Sequence, residues 1–133
     1  MIPQRYEGQT YAVLRMVSGA MFFTAGLMKL GLLGMAAVPP ASLAGAAMVM
    51  ELAGGVLITA GWLTRPVAFL LSGEMAVAYF MGHASRGNPI LPMLNQGELA
   101  VAWCFVFLYL AAAGAGAWSV DDALSRPRTA AAT

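Results

Sequence analysis

Lys29, Glu51, Glu74, Tyr79, His83 and Glu98 stand within or at the ends of long apolar stretches, where polar side chains need a reason to be. A charge at the centre of a bilayer-spanning helix costs about 2.5–3.5 kcal/mol on insertion scales, so each such group needs a partner or a use. With a rise of about 1.5 Å per residue, Glu51 and Glu74 fall near the middle of their stretches, Lys29 roughly 10 Å outward, and Glu98 slightly farther. Lys29 can therefore reach down to Glu51 or up to Glu98. Such a pair is either a structural tie between helices or a site that binds a ligand or relays protons, and both readings stay open. Glu74 has no obvious basic partner. It is expected to be protonated, to face another subunit, or to meet a ligand.

The other polar residues have plainer readings. Arg15 and Arg65 lie near one boundary and are expected to snorkel to headgroups. Asn95-Gln96-Gly97-Glu98 has the spacing of a capping box, with Asn95 as N-cap and Glu98 reaching back to it. His83 closes its stretch as an interfacial histidine. The ten methionines form no metal-binding run, so no metal site is expected.

The elements that carry these residues follow from hydropathy. The chain has 133 residues, 60% hydrophobic and 10% charged, with a mean hydropathy of +0.74. A soluble domain of this length is about 25% charged and needs that polar surface. Four apolar blocks, at about 11–33, 42–63, 66–83 and 96–117, each have the length of a span. They do not alternate with period two and are too long for barrel strands. The expected fold is all-α, an integral membrane four-helix bundle in a single domain. The first block, which carries Lys29 near its end, reads as a retained span and not as a signal peptide. Ser42 can cap the second block, Pro66 suits the first turn of the third, and the tail 123–133 is expected to be disordered.

On the first span Arg15, Gly19, Phe22, Gly26 and Lys29 share one face, and its glycines permit close approach of a neighbour. Ala47, Glu51, Gly54, Ile58 and Gly61 form a similar stripe on the second. Arg65, Phe69, Ser72, Ala76, Tyr79 and His83 line one face of the third, with Glu74 off it. Arg5, Arg15, Arg65, Arg126 and Arg128 collect at one side against Lys29 and Arg86 at the other. The positive-inside rule then puts both termini in the cytoplasm and the 84–94 loop outside. Tyr11, Trp62 and Trp118 mark the inner boundary.

Several functions are disfavoured. Basic residues are scattered, which gives no nucleic-acid surface. One cysteine, Cys104, precludes an intrachain disulfide. One histidine and one cysteine cannot supply bis-His haem ligation or an iron–sulfur cluster within one subunit. No Ser/His/Asp set suggests a hydrolase, and no paired broken helices suggest a carrier.

From Arg15 to Leu124 the chain resembles the DoxX family of small bacterial and archaeal membrane proteins. The resemblance rests on Arg15, Gly19, Gly26 and Lys29; on Glu51-Leu52-Ala53-Gly54-Gly55 with Gly61 and Arg65; and on Gly73 to Phe80 followed by His83. It continues through Pro92, Asn95, Gly97, Glu98 and Leu99-Ala100 to the Phe105–Ala113 block, Gly114, Gly116, Trp118-Ser119 and Asp121. Trp103 departs from the pattern, where a tyrosine is expected before Cys-Phe. The resemblance implies a four-helix membrane bundle in the plasma (inner) membrane and a link to redox chemistry. The family takes its name from a subunit of a thiosulfate:quinone oxidoreductase, and a mycobacterial relative is associated with a membrane complex handling oxidative and thiol stress. The implied function is an accessory or quinone-associated subunit of a membrane redox system. A quinone is its candidate cofactor, with lipid, a membrane or soluble redox protein, or a second copy of the chain as partners. Lys29, Tyr79 and His83 are candidate hydrogen-bond donors, and Glu51 and Glu74 candidate proton carriers. The alternative is a non-catalytic structural or assembly subunit.

Overall fold

Runs rich in Ala, Leu, Met and Val with well-placed breakers give five helices among residues 3–126, the part of the chain described by this computed structural model. They are α1 (Glu7–Lys29), α2 (Leu43–Ala60), α3 (Thr64–Ala78), α4 (Glu98–Ala113) and a short α5 (Val120–Ser125). A π-turn, Tyr79–His83, and a 3₁₀ turn, Ala84–Arg86, prolong α3. No strand occurs among the described residues, and the fold is an all-α bundle.

Local chemistry sets the ends. Ser42 caps α2, its hydroxyl accepting from Gly45 N–H at 3.0 Å. Gly61, at φ 70°, closes α2 with Trp62 N–H returning to Leu57 O at 2.9 Å. Pro66 lies in the first turn of α3, which begins two residues before it. α1 stops at Lys29, short of Leu33, because Gly31 takes φ 94° and Val38 N–H turns back to Lys29 O. α4 is also shorter than the apolar block: the turn at Gln96 (φ 59°) delays its start, and Gly114 (φ 89°) ends it. By length and composition three helices, spanning Gln4–Lys29, Leu43–Ala60 and Thr64–Arg86, can cross a membrane. α4 is the shorter apolar fourth, about 24 Å long. The tail expected to be disordered from residue 123 is helical as far as Ser125, capped by Ser119 accepting from Asp122 N–H. Residues 127–133 lie outside the described part.

α1 and α2 run antiparallel with their backbones nearly touching. A Cβ on Gly55 would come within 2.5 Å of Phe23 N, and one on Gly26 within 2.9 Å of Leu52 N. This close approach is the way small residues join helices that gain nothing from hiding leucine in lipid. α3 pairs with α4, and Gly54 of α2 receives Leu71 of α3. The centre is filled by Phe22, Ile58, Ala68, Leu71, Phe107 and Leu110. Phe22 meets Phe107 edge-on at 4.4 Å between centroids and Trp103 at 5.2 Å, so Trp103 serves packing here. Outward faces carry Val17, Phe69, Phe80, Leu99 and Phe105, all well exposed, a pattern suited to lipid.

The expected face of α3 is corrected at its start. Phe69 is 65% exposed and Arg65 lies at the surface, whereas Thr64, Ala68 and Leu71 are buried; Ser72 and Tyr79 of the expected stripe are buried as expected. Glu74, off that stripe, nevertheless has both carboxyl oxygens buried.

Candidate functional site

Three polar layers punctuate the bundle. The end that carries both termini is built from cations closing helix C-termini. Arg15, fully buried, donates to Ile58 O and Thr59 O at 2.7 Å each, and to Trp118 O at 2.8 Å and Ala117 O at 3.3 Å. The snorkelling expected of Arg15 is therefore corrected: its guanidinium satisfies carbonyls that end α2 and the loop after α4. Arg65 does the same from the surface, donating to the carbonyls of Ala111, Ala112 and Ala113. Tyr11 donates its hydroxyl to Gly114 O. Asp121 caps α3 from a distance, accepting from Leu63 N–H and Thr64 N–H at 3.0 and 3.1 Å. In the sequence Asp121 stands out only as the last of the residues that carry the family resemblance; its spacing from Leu63 carries no local signal.

The middle layer holds Lys29, Glu51 and Glu74. Lys29 Nζ donates to Glu51 Oε1 at 2.5 Å, tying the end of α1 to the middle of α2. The Glu51 side chain is 4% exposed and that of Lys29 28%. From α3 the Glu74 carboxyl comes within hydrogen-bonding reach of Glu51, with Lys29 the nearby cation. Glu51 Oε2 and both Glu74 oxygens are buried and have no donor among the described residues. The reason is chemical: two ionised carboxylates can only accept, so their contact becomes a hydrogen bond only if one holds a proton. Glu74 thus has a basic group nearby after all, one already engaged by Glu51.

The outer layer joins α3 to the 84–97 loop. Tyr79, buried, donates its hydroxyl to Pro89 O at 3.1 Å and accepts from Asn95 Nδ2 at 3.2 Å. Asn95 Nδ2 also donates to Asn88 O at 2.7 Å, and Asn95 Oδ1 accepts from Gly97 N–H at 2.9 Å. His83 Nδ1 lies 3.2 Å from Asn95 O. A carbonyl only accepts, so Nδ1 carries the proton and Nε2 is the nitrogen left for a ligand. The π-turn that contains Tyr79 and His83 aims both at the loop; such turns are frequent at functional sites.

The expected capping box does not form. The N-cap of α4 is Gly97, without a side-chain cap bond, and Asn95 is spent on the loop. Glu98 is exposed and apart from the middle layer, and Lys29 turns to Glu51 instead. Glu51, Glu74 and Lys29 are brought together; Tyr79 and His83 form a separate group; Glu98 belongs to neither. A groove of about 610 Å³ lies at the terminal end between Leu63–Pro66, Gly114 and Asp121, away from all six residues. Its lining is structural, since Arg65 and Asp121 are already occupied with backbone groups.

The DoxX family model matches residues 10–84, the stretch that holds Arg15, Lys29, Glu51, Glu74, Tyr79 and His83. The chain belongs to the DoxX family. It is 38% identical over 128 residues to an uncharacterized protein of Haemophilus influenzae, covering 90% of this chain and 93% of that one. It is 29% identical over 79 residues, 59% of each chain, to the inner membrane protein YqjF of Escherichia coli. No solved structure matches. This DoxX-family chain is thus a membrane protein, and its apolar outer faces contact lipid.

Proposed function

We propose that this DoxX-family chain is an accessory, quinone-associated subunit of a membrane redox system, lying in the plasma membrane with both termini cytoplasmic. The observation that carries the reading is the middle layer: two adjacent carboxyls, three of their oxygens without a donor, beside a single ammonium. A purely structural tie would be complete with Lys29 and Glu51 alone. The extra carboxyl gives the apolar slab a place to hold and release a proton, which quinone chemistry in a membrane requires.

His83 fits a quinone headgroup at the outer layer. Its Nε2 accepts from a quinol hydroxyl when the ring is neutral and donates to a quinone carbonyl when it is protonated. The same loop offers exposed Ile90, Leu91, Met93 and Leu94 to an isoprenoid-type tail. A bound quinone would supply the two-electron chemistry, and a membrane or soluble partner protein would exchange the electrons with it. The chain's own residues would position the headgroup and handle the proton.

Orientation is supported by the cluster of Arg5, Arg65 and Arg126 at the terminal end, against Arg86 at the other. Arg15 adds less to that count because it is buried. The test is quinone content and quinone-linked turnover in membranes from cells expressing wild-type, Glu74→Gln or His83→Ala protein. The reading expects co-purifying quinone and at least a tenfold lower turnover in both variants at equal protein level. Unchanged turnover in both, with no quinone retained by the wild type, sinks it.

A structural or assembly role is the second reading, favoured by the Lys29–Glu51 tie between α1 and α2. It expects Glu51→Gln to lower the amount of protein in the membrane and to leave no separate defect in activity.

A further inference from the structure

We infer that Glu51 and Glu74 together hold one exchangeable proton, and that it exchanges with the membrane face bearing the 84–97 loop and not with the face bearing the termini. The inference shares its cluster with the reading above but needs neither quinone nor partner, so the two can fail separately.

The number of protons follows from charge. Lys29, Glu51 and Glu74, all ionised, leave a net negative charge in the apolar interior, which is costly, and leave Glu74 without a donor. One added proton makes the cluster neutral and turns the Glu51–Glu74 contact into a hydrogen bond. A second proton would neutralise both carboxyls and strand the Lys29 ammonium, which is again unfavourable. One proton is therefore the resting complement, shared by a coupled pair and not owned by either residue.

Among the described residues, the charged groups acting on Glu74 are Glu51 and Lys29. α1 contributes Lys29 and α2 contributes Glu51. The part of α4 facing this region of α3 contributes Cys104, whose carbonyl accepts from Ser72 Oγ at 2.8 Å. Glu98 is exposed at the start of α4, and Arg15 is engaged with four carbonyls at the far end.

The direction of exchange follows from packing. Lys29 is the last residue of α1, at the end carrying the 30–42 and 84–97 loops, and its side chain is 28% exposed. Water that wets its ammonium comes within one side-chain length of Glu51. Towards the termini the route is closed by Phe22, Ile58, Leu71, Phe107 and Leu110, each no more than 5% exposed, with buried Arg15 beyond them. On release the O–H bond of the protonated carboxyl breaks, the proton passes to water beside Lys29, and a second carboxylate remains; uptake is the reverse.

The test is infrared spectroscopy of the full chain in oriented proteoliposomes, with the two aqueous faces buffered independently. The protonated-carboxyl stretch assigned to the cluster is the band that Glu74→Gln deletes and Glu98→Gln keeps; exposed Glu98 serves as the control. Glutamine has nearly the shape of the protonated acid, so Glu74→Gln is expected to fold. Glu51→Gln provides a second reading: the one carboxyl left beside Lys29 makes the cluster neutral without a held proton, so the same band must disappear. The expected result is loss of the band when the loop-side buffer is stepped from mildly acidic to alkaline, and no change when only the terminal side is stepped. Absence of a band sensitive to Glu74→Gln, or a band that follows the terminal-side buffer or both sides alike, overturns the inference.

Discussion

Replacing Arg15 by alanine removes one guanidinium and leaves the carbonyls of Ile58, Thr59, Ala117 and Trp118 without their donor. Two of these end α2, and two lie in the turn that leads into α5, so the loss falls on the joint holding the terminal end together. Each charge-assisted bond is worth about 1.5–3 kcal/mol when buried. The sum is not additive, and carbonyls near the boundary can recruit water once the side chain is gone. Intramembrane hydrogen bonds also average less than those in soluble cores, nearer 0.6 kcal/mol in double-mutant cycles. Weighing these, Arg15→Ala is expected to cost about 2–4 kcal/mol, within the range for breaking buried polar networks. Arg65→Ala, which frees three carbonyls at an exposed position, should cost far less. Arg15→Lys should fall between them, since a single ammonium cannot span carbonyls on two segments as the fork does. Cys104 supplies the assay: it is the chain's one cysteine, packed against Ser72 between α3 and α4, and its labelling by a thiol dye in detergent follows loss of that packing on heating. Equal melting of Arg15→Ala and wild type would refute the buried-cap account and restore the snorkelling one.

Breaking the ion pair from one side should be worse than removing it whole: Lys29→Met alone, which leaves two carboxyls with no cation, should melt lower than Lys29→Met combined with Glu51→Leu, by about 1–3 kcal/mol in the same assay. Gly55→Ala must push α1 from α2 because its Cβ would meet Phe23 N at 2.5 Å, costing about 1–3 kcal/mol as overpacking does. Gly73→Ala, with nothing within 4 Å, is the control and should melt unchanged or slightly higher. Tyr79→Phe removes the hydroxyl between Pro89 and Asn95; proteolysis within the 84–97 loop should quicken, and the thermal midpoint should fall by no more than about 1 kcal/mol in equivalent stability.

The parts of the fold that were readable in the sequence are those where polar or small residues break an otherwise uniform apolar run. On α1 the four-three spacing of Arg15, Gly19, Phe22 and Gly26 names the buried face, because all four differ in size or charge from the lipid-facing residues between them. On α3 almost every candidate position is apolar. Period alone then cannot say which side faces lipid, and the expected stripe is right at Ser72 and Tyr79 but wrong at Arg65 and Phe69. Arg65 gave the misleading cue: it lies near a boundary, but it reaches round to the carbonyls ending α4 and so sits outside. The same gap hid the role of Arg15, since nothing local to residue 15 says that two other segments end at its depth. Asn95 had the spacing of a cap, but Gly97 and Gln96 turn the chain once more before α4 begins, and tertiary contacts to Tyr79 and Asn88 take up its amide. The candidate residues were readable as unusual; their grouping into a middle trio, an outer pair and a solitary Glu98 was not, because grouping depends on helix rotation.

Among the described residues, the buried side-chain atoms without partners fall in two places, the terminal end and the middle of the bundle. The buried side-chain atoms without partners among the described residues are Arg15 Nε, Thr64 Oγ1, Glu51 Oε2 and both oxygens of Glu74. Arg15 Nε belongs to a guanidinium that already makes four bonds, and Thr64 stands at the terminal end, where a small shift would reach water. The three carboxyl oxygens lie instead buried at mid-bundle, where an unpaired acceptor is most costly. A residue kept only to join helices would have its polar end engaged by neighbours, as the Asn95 amide is. Truncating Glu74 to alanine would remove two of the three carboxyl oxygens without donors and leave Glu51 Oε2. Glu74→Ala should therefore leave the Lys29–Glu51 pair intact and lower stability by no more than the one Glu51–Glu74 hydrogen bond, about 0.5–1.5 kcal/mol, and the cavity it opens. A fall well beyond that would mean that Glu74 is part of the scaffold, and the case for a proton-holding centre would go with it.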